Sequence, residues 1–150
     1  MPLFFKDDNV PRLKCYQAVQ NIYTKVASSF LPDNVGTTTS AKNNIKEMFG
    51  YLPMEYPKPV PLIKYLISLI PNKNGIILDF FAGSGTTGHA VLELNKEDDG
   101  NRQFILCTNN ENEICKEVCF PRLEKVIKGY ITLEGEEVNG IRSGFKYFKI

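Results

Sequence analysis

Residues 76–88 read Ile-Ile-Leu-Asp-Phe-Phe-Ala-Gly-Ser-Gly-Thr-Thr-Gly, and this stretch decides the fold. An apolar run ends at Asp79 and continues directly into a turn that contains Gly83 and Gly85 (the glycine turn, residues 80–85). The sequence after the turn is typical of a helix. A strand, a glycine-containing turn and a helix N-terminus allow the backbone to approach a nucleotide-like ligand closely. We therefore predict an α/β fold with a ligand site at this turn.

The acidic residue at the end of the strand indicates which ligand the turn binds. Asp79 lies four residues before Gly83, where its carboxylate can face a cationic amino group. S-adenosylmethionine carries both an ammonium and a sulfonium group, so it suits this carboxylate, whereas a pyrophosphate suits it poorly. The pattern therefore favours a methyl-donor site.

Two alternatives to a methyl-donor site stay open. The spacing Gly83-x-Gly85-x-x-Gly88 also matches the dinucleotide fingerprint, which requires an acid about 20 residues further along the chain. The acid after the second predicted strand is Glu111, which comes late for that role. The chain is therefore alternatively a NAD-binding Rossmann protein, or its glycine turn binds no ligand. A phosphate-binding P-loop is excluded because no lysine follows the glycines.

Four segments in series resemble the motifs of one enzyme family. Asp79–Ala90 is similar to the cofactor motif of the methyltransferase (Mod) subunit of type III restriction-modification systems, which are β-class adenine-N6 DNA methyltransferases. Tyr56–Ile63 resembles the lysine-proline motif that precedes the cofactor strand. Asn101–Asn112 resembles the second-strand motif, and Val118–Tyr130 resembles the C-terminal helix. Four motifs in the right order are far more specific than one glycine turn.

One motif of that family is absent from the sequence. The family binds its target adenine with an Asp/Asn-Pro-Pro-aromatic tetrapeptide, after the base has been flipped out of the duplex. This chain contains no Pro-Pro pair, and Asn109-Asn110 lies on a different strand. The resemblance therefore implies the C-terminal, cofactor-binding part of a longer methyltransferase, beginning at an internal Met and carrying no catalytic residue.

The resemblance also implies how S-adenosylmethionine would be bound. Asp79 would hold the ammonium group of the methyl donor, or alternatively it would only cap the following turn. Gly83 and Gly85 would allow the methionine portion to approach the backbone. The complete set of predicted cofactor-binding residues is Lys58, Asp79, Phe80, Ala82, Gly83, Gly85, Thr86, Thr87, Thr108 and Asn109.

Other members of this set would bind the carboxylate and the ribose of the cofactor. Thr86 and Thr87 offer hydroxyls and helix N-terminal amides to the carboxylate, which a helix dipole favours. Lys58 would pair with the same carboxylate, and simple capping or solvation remains the alternative for all three. Thr108 and Asn109 occupy the position where many methyltransferases place an acid on the ribose. In this chain both residues are neutral, so the ribose would be bound by hydroxyl and amide hydrogen bonds.

Composition limits the remaining possibilities. The net charge of the 150-residue chain is +1, which gives no basic face for DNA, so such a face would belong to the missing half. The four cysteines and single histidine form no credible metal site. Cys115 and Cys119 are expected to be small buried residues, and His89 is expected to pack or orient rather than catalyse. Neither a signal peptide nor a membrane-spanning run is recognisable, so we expect a cytoplasmic protein without membrane contact.

We divide the chain into three parts. Residues 1–52 are interpreted as a remnant of the region that links target recognition to the methyltransferase core, 53–130 as the cofactor-binding half, and 131–150 as a β tail. The predicted helices are one that is capped before Ala41 and ended by Gly50, Leu62–Ile70, Thr87–Asn95, and Glu111–Lys128 with a kink at Pro121. The second predicted strand is Gln103–Cys107, and the tail is interpreted as a hairpin or strand pair formed by Tyr130–Ile141 and Phe145–Ile150.

The predicted fold class is α/β: a partial Rossmann-like methyltransferase sheet of two parallel strands, with flanking helices and the β tail. Without the strand of the missing half, the cofactor strand would be an exposed edge, so we expect poor stability alone or association. The implied partners are duplex DNA through the parent enzyme, the N-terminal half, a second Mod subunit and the restriction (Res) subunit. Alternatively, the chain is a non-enzymatic remnant of an interrupted gene with at most weak cofactor binding.

Overall fold

The chain forms two compact units, residues 1–30 and 31–150. The computed structural model describes residues 3–5, 11–13 and 30–149. In the first unit, strand β1 (Leu3–Phe5) pairs antiparallel with β2 (Pro11–Leu13). Cys15 and the stretch that begins at Tyr16 lie outside the described residues, as does Ile150.

After a 3₁₀ turn (Asp33–Val35), the second unit continues with a helix that has clear start and stop signals. In helix α1 (Thr38–Phe49), Thr37 Oγ1 accepts the Ser40 N–H at 3.2 Å, and Ser40 Oγ accepts the Thr37 N–H at 2.8 Å. This reciprocal pair is a capping box. Gly50 adopts a left-handed conformation with φ 82° and donates its N–H to the Lys46 carbonyl at 2.8 Å, which ends the helix. The predicted cap and stop are confirmed.

Helix α2 (Val60–Ser68) begins and ends two residues before the predicted bounds. Pro59 is its N-cap and Pro61 lies inside the first turn, where a missing N–H costs nothing because such groups have no intrahelical acceptor. Although α2 is apolar nearly all round, only Val60 is buried, and Leu66 is exposed.

A β-α-β unit forms the centre of the second unit. Strand β3 (Ile76–Asp79) is followed by the glycine turn, helix α3 (Thr86–Asp98) and strand β4 (Gln103–Leu106). The strands are parallel, with Ile76 opposite Gln103 and Asp79 opposite Leu106. The predicted parallel pair is therefore confirmed, and α3 is longer than predicted at both ends.

Helix α3 extends beyond its predicted end at Asn95 because two side chains anchor its last turn to β4. The Arg102 guanidinium donates to both carboxylate oxygens of Asp98 at 2.9 Å. Asn95 donates to the Arg102 carbonyl at 2.8 Å and accepts the Arg102 N–H at 3.0 Å. Together these bonds fix where β4 starts relative to α3.

The predicted continuous helix Glu111–Lys128 is wrong. A 3₁₀ turn (Glu111–Glu113) is followed by a π-helical turn (Cys115–Cys119) and then by helix α4 (Phe120–Lys128). Asn112 and Glu113 have φ values of 51° and 56°, which an α-helix cannot contain. Pro121 is the second residue of α4 and cannot donate a backbone hydrogen bond, so the predicted irregularity lies in the π turn just before this helix.

The tail contains one hairpin rather than two strand segments. Strand β5 (Gly129–Ile131) pairs antiparallel with β6 (Glu137–Asn139), and the Ile141 N–H donates to the Val126 carbonyl at 2.8 Å. The predicted strand Phe145–Ile150 is wrong for its described part, because residues 145–149 have no regular structure. Phe145 instead packs against the Phe120 ring at 5.4 Å.

The hydrophobic core lies between α1, α3 and α4 on one face of the β3–β4 sheet. Its buried centre consists of Met48, Leu92, Leu123 and Val126, and Phe104 and Leu106 of β4 pack against it. The opposite face is exposed in the described part of the chain, where Ile76, Leu78 and Ile105 are 64%, 49% and 50% exposed. Within residues 30–149, each helix is too short or too polar to span a bilayer.

The glycine turn packs directly against the start of α4. A Cβ atom on Gly85, whose φ is 76°, would lie 2.9 Å from Cys119 Sγ and 3.3 Å from the Cys119 carbonyl oxygen. Gly83 has φ 51°, but the nearest atoms to its Cβ position lie 3.7 Å away. The two glycines therefore share a left-handed backbone, and only Gly85 also lacks space.

We predict that this difference appears in stability. Gly85→Ala should lower the free energy of unfolding by about 2–4 kcal/mol, because left-handed strain and overpacking add. Gly83→Ala should cost about 1–2 kcal/mol, because only the strain applies. Urea denaturation of both variants measures this, with Gly144→Ala as the control, since Gly144 has open space around it. Equal losses at Gly83 and Gly85 would contradict the packing argument.

We also predict that the chain self-associates. Within the described residues β3 is paired only with β4, and an apolar strand edge beside exposed side chains favours pairing with another chain. Analytical ultracentrifugation at tens of micromolar should show association that Leu78→Lys weakens. Ile131→Lys, a change at an exposed position of the hairpin, is the control and should have no effect. A strictly monomeric chain that melts cooperatively would mean that the edge is covered from within.

Candidate functional site

The two strand ends are held together at one edge of the parallel pair. The Cys107 N–H donates to the Asp79 carbonyl at 2.8 Å, and the Ala82 N–H donates to the Cys107 carbonyl at 3.0 Å. These bonds continue the strand pairing into the glycine turn. As a result Asp79 lies beside the segment that starts at Thr108. The sequence predicted that these two segments contribute to one site.

The Asp79 carboxylate organises the turn that follows it. Oδ1 accepts the Phe81 N–H at 2.9 Å, and Oδ2 accepts the Thr87 hydroxyl at 2.6 Å. The carboxylate therefore does cap the turn, as the alternative interpretation holds. It is half-buried, and an ionised carboxylate has about four acceptor positions, so these two bonds leave room for a ligand cation.

The side chains of the glycine turn differ in exposure. Phe80 and Phe81 are 64% and 93% exposed, whereas Ala82 is buried. A Cβ atom at Gly83 would make ordinary van der Waals contact with Met54 Cε and the Phe81 carbonyl oxygen, both at 3.7 Å, whereas Cys119 stands too close at Gly85. Of the two glycines predicted to admit a ligand, only Gly85 lacks room for a Cβ atom.

Thr86 and Thr87 are the first residues of α3, with Gly85 as its N-cap, so they stand where backbone amides lack intrahelical acceptors. Their side chains point to different partners. The Thr86 hydroxyl is buried and donates to the Lys58 carbonyl at 3.3 Å, whereas the Thr87 hydroxyl bonds Asp79. Lys58, the lysine predicted for the site, is thus linked to the glycine turn through its backbone carbonyl, and the residue itself is exposed.

The neutral pair after β4, Thr108 and Asn109, is only loosely packed. Thr108 is half-buried and Asn109 is exposed. Asn109 Oδ1 accepts the Glu111 N–H at 3.2 Å, and its amide lies 3.4 Å from the Glu111 carboxylate. The late acid noted in the sequence is therefore an exposed residue of the 3₁₀ turn, bonded to its own loop.

A buried arginine links the glycine turn to α4. Arg122 Nη1 donates to Ser84 Oγ at 3.0 Å, to the Ser84 carbonyl at 3.4 Å and to Thr86 Oγ1 at 2.9 Å. Ser84 and Thr86 are also bonded to each other at 3.2 Å. Arg122 is 2% exposed, so its guanidinium is enclosed together with the turn it bonds.

A chain of polar side chains continues from the arginine across α3 to α2. Arg122 Nε donates to His89 Nδ1 at 3.3 Å, and His89 Nε2 lies 3.0 Å from Glu93 Oε1. Lys64 of α2 donates to Glu93 at 2.9 Å and also bonds Glu97. His89 is buried, which agrees with the expected packing role.

The pKa values in this chain follow from burial and these partners. Burial lowers the pKa of His89 below its usual range, and Arg122 lowers it further against the opposing effect of Glu93. Burial alone would raise the pKa of Glu93, but the bonds from His89 and Lys64 outweigh it and lower the pKa to about 2. Near neutral pH His89 is thus neutral and Glu93 is ionised.

Two cysteines near the turn differ in burial. Cys119 is buried against Gly85, and burial raises the pKa of its thiol to about 11, so it stays protonated. Cys115 is only half-buried, which corrects the expectation that both are buried.

Two cavities lie beside α3, with volumes of about 250 and 440 Å³. Both are lined by His89 and Glu93, and the smaller one also by Lys58 and Arg122. Neither cavity is lined by Asp79, so neither coincides with the ligand site predicted from sequence.

Sequence interpretation missed Arg122 and Ser84. A usable signal was present, because Arg122 lies four residues after Val118 and four before Val126, on the buried stripe of the C-terminal helix. A charged residue inside an apolar stripe is seldom fully buried without partners. Its partners are 36 and 38 positions away in the chain, so no local pattern could identify them.

Comparison with known proteins places this geometry in a family. A family model described as DNA methylase matches residues 7–120. The StyLTI Mod subunit of a type III restriction-modification enzyme from Salmonella typhimurium is 38% identical over 127 residues, covering 78% of this chain and 20% of that protein. The EcoPI Mod subunit from Escherichia phage P1 is 37% identical over 123 residues, covering 73% of this chain and 18% of that protein.

A shorter match extends to another class. The type II methyltransferase M.KpnI from Klebsiella pneumoniae is 42% identical over 73 residues, covering 49% of this chain and 18% of that protein. The chain spans about a fifth of the length of the curated relatives it matches. Because the family model covers most of the chain, including the glycine turn and both parallel strands, this chain belongs to the DNA methylase family.

Proposed function

We propose that this chain is the S-adenosylmethionine-binding part of an adenine-N6 DNA methyltransferase of a type III restriction-modification system. The observation that carries the proposal is the Asp79 carboxylate at the end of β3, fixed by Thr87 beside the N-terminus of α3. A carboxylate and a helix N-terminus next to each other complement the ammonium and the carboxylate of an amino-acid group.

The residues at the site fit this cofactor. Asp79 keeps acceptor capacity for the ammonium, and Gly83 has no side chain that would hold the cofactor away from the backbone. The amides of Thr86 and Thr87 begin α3 and suit the carboxylate. We assign the ribose to Thr108 and Asn109 and the flanking apolar surface to Phe80. When bound, S-adenosylmethionine would supply the methyl group, while these residues bind and orient it.

The proposed partners follow from the relatives and from the missing motif. The most similar relatives reported above are named as type III Mod subunits, so we propose duplex DNA as the substrate. The chain contains no Pro-Pro pair and hence no Asp-Pro-Pro-aromatic tetrapeptide. We propose that a polypeptide carrying this tetrapeptide completes the site and pairs with the free edge of β3, giving a Rossmann-like sheet. A second Mod subunit and the Res subunit are further proposed partners.

One prediction of this proposal concerns ligand identity. Calorimetry should show S-adenosylmethionine or its demethylated product binding more tightly than NAD. Asp79→Ala should weaken methyl-donor binding by about 1.5–3 kcal/mol, the scale of a charged hydrogen bond. Asp79→Asn, which retains an acceptor for the Phe81 N–H, separates loss of charge from loss of the turn. Asp33→Ala, at an exposed acid of another loop, is the control. Tighter binding of NAD would refute the assignment.

The proposal also predicts that the chain alone does not methylate DNA. Cofactor binding is half of the chemistry, and the sequence has no tetrapeptide to accept hydrogen bonds from a flipped adenine. Radiolabelled methyl transfer to duplex DNA should therefore equal that of the Asp79→Ala control, and it should rise when a polypeptide with the catalytic motif is co-expressed. Transfer by the purified chain above that control would show that a residue such as Asn109 or Asn110 reaches the reactive centre.

A further inference from the structure

Arg122 is a buried cation whose hydrogen bonds reach no carboxylate. Its four bonds go to a hydroxyl and a carbonyl of Ser84, the hydroxyl of Thr86 and an imidazole nitrogen of His89. Burial without a bonded anion lowers the pKa of Arg122 to about 10, although it stays charged near neutral pH. Because burying a charge is costly, stability alone is a poor reason for an arginine here.

The acceptors of Arg122 share one location. Ser84 is the last side chain of the glycine turn, Thr86 begins α3, and His89 follows one turn later. The residue after Thr86 is Thr87, whose hydroxyl bonds Asp79 at 2.6 Å. The guanidinium therefore fixes the backbone segment that carries the N-terminus of α3 and Thr87, the residue that bonds the Asp79 carboxylate. These are the groups of the proposed cofactor site.

We propose that Arg122 is a positioning residue for the methyl donor, which holds the glycine turn and the first turn of α3 in the binding geometry through Ser84, Thr86 and His89. This inference rests on the proposed function. Arg122 does not touch the proposed cofactor groups itself. A planar guanidinium suits the task because its separate N–H groups bond two segments simultaneously, which a lysine ammonium cannot reproduce.

The His89 contact makes this arrangement dependent on pH. Arg122 Nε–H requires a free lone pair on His89 Nδ1, so the imidazole proton must lie on Nε2, facing Glu93. Protonation of Nδ1 would place two N–H groups against each other. The arrangement therefore holds while His89 is neutral and is lost as the pH falls below the usual histidine range, because its pKa in the folded chain is lowered.

Other charges near His89 come from every element around it. Glu93 on its own helix and Arg122 on α4 bond the two ring nitrogens, and Lys64 of α2 acts through Glu93. The adjoining cavities are lined by further titratable groups, namely Lys58, Lys96, Glu97 and Tyr130. The carboxylate of Glu93, with its pKa of about 2, stays ionised as the pH falls through the acidic range, so His89 is the group in this chain whose charge changes there.

The experiment compares cofactor affinity with stability in Arg122→Met. Methionine fills the volume without a buried charge, so the melting midpoint should change little while the Kd for S-adenosylmethionine rises about tenfold, since preorganisation of the site is lost. Arg142→Met, at an exposed arginine of the tail, is the matched control and should change neither quantity. A purely structural arginine would give the reverse, with a lower melting midpoint and an unchanged Kd.

Two further measurements apply if Arg122→Met does not fold. Ser84→Ala removes one acceptor of the guanidinium and should raise the Kd severalfold. In the wild-type chain the Kd should rise as the pH is lowered from 7 to the lowest pH at which the chain stays folded, and His89→Gln should remove this dependence when measured with the same ligand and buffers. A wild-type Kd that is constant over this range, or equal Kd values for wild type and Ser84→Ala, would overturn the inference.

The outcomes also separate this inference from the proposed function. Absence of S-adenosylmethionine binding by the wild-type chain would overturn both. Binding that depends on Asp79 but is the same in Arg122→Met as in the wild type would overturn only the positioning role.

Discussion

The second unit depends on the contact between the glycine turn and the start of α4. At Gly85 the turn approaches Cys119 so closely that a Cβ atom would stand 2.9 Å from its sulfur, and Arg122, one turn further on, bonds Ser84 and Thr86. Steric closeness and directional hydrogen bonds thus act on the same few residues. If the contact opened, the glycine turn that joins the end of β3 to the N-terminus of α3 would lose the support that it shares with α4, and the bonds of Asp79 to Cys107 and Thr87 would remain.

The same contact explains why the sheet is covered on one face only. Helices α3 and α4 pack together over Phe104 and Leu106, and this leaves Ile76, Leu78 and Ile105 exposed in the described part of the chain. Parallel strands are usually covered on both faces, and their sequences are correspondingly apolar throughout. The apolar sequence of β3 therefore fits a more completely covered strand than the one described, which is consistent with relatives about four times as long.

Much of the fold could be predicted from local signals. The capping box at Thr37, the stop at Gly50 and the parallel strands on either side of α3 are encoded within short segments, where side-chain chemistry acts on neighbouring backbone. The break before α4 could not be predicted in this way, because it depends on left-handed Asn112 and Glu113, residues without an obvious sequence requirement for that conformation. The long extent of α3 likewise depends on Arg102, which lies beyond the helix.

The part of the candidate site that lies in one continuous segment could be predicted from the sequence. The part that depends on hydrogen-bond partners far apart in the chain could not. Asp79 and the glycines were identified because strand, carboxylate and glycine follow each other directly. The difference between the two glycines was not predictable, since both have left-handed φ values and differ in what stands beside them. Cys119 lies 2.9 Å from the Cβ position of Gly85, and Met54 lies at an ordinary contact distance of 3.7 Å from that of Gly83. Arg122 shows the limit most clearly, because its meaning lies in acceptors on another element. Because burying a charge is costly, this arginine is explained best by the geometry it imposes, and here that geometry is the shape of the proposed cofactor site.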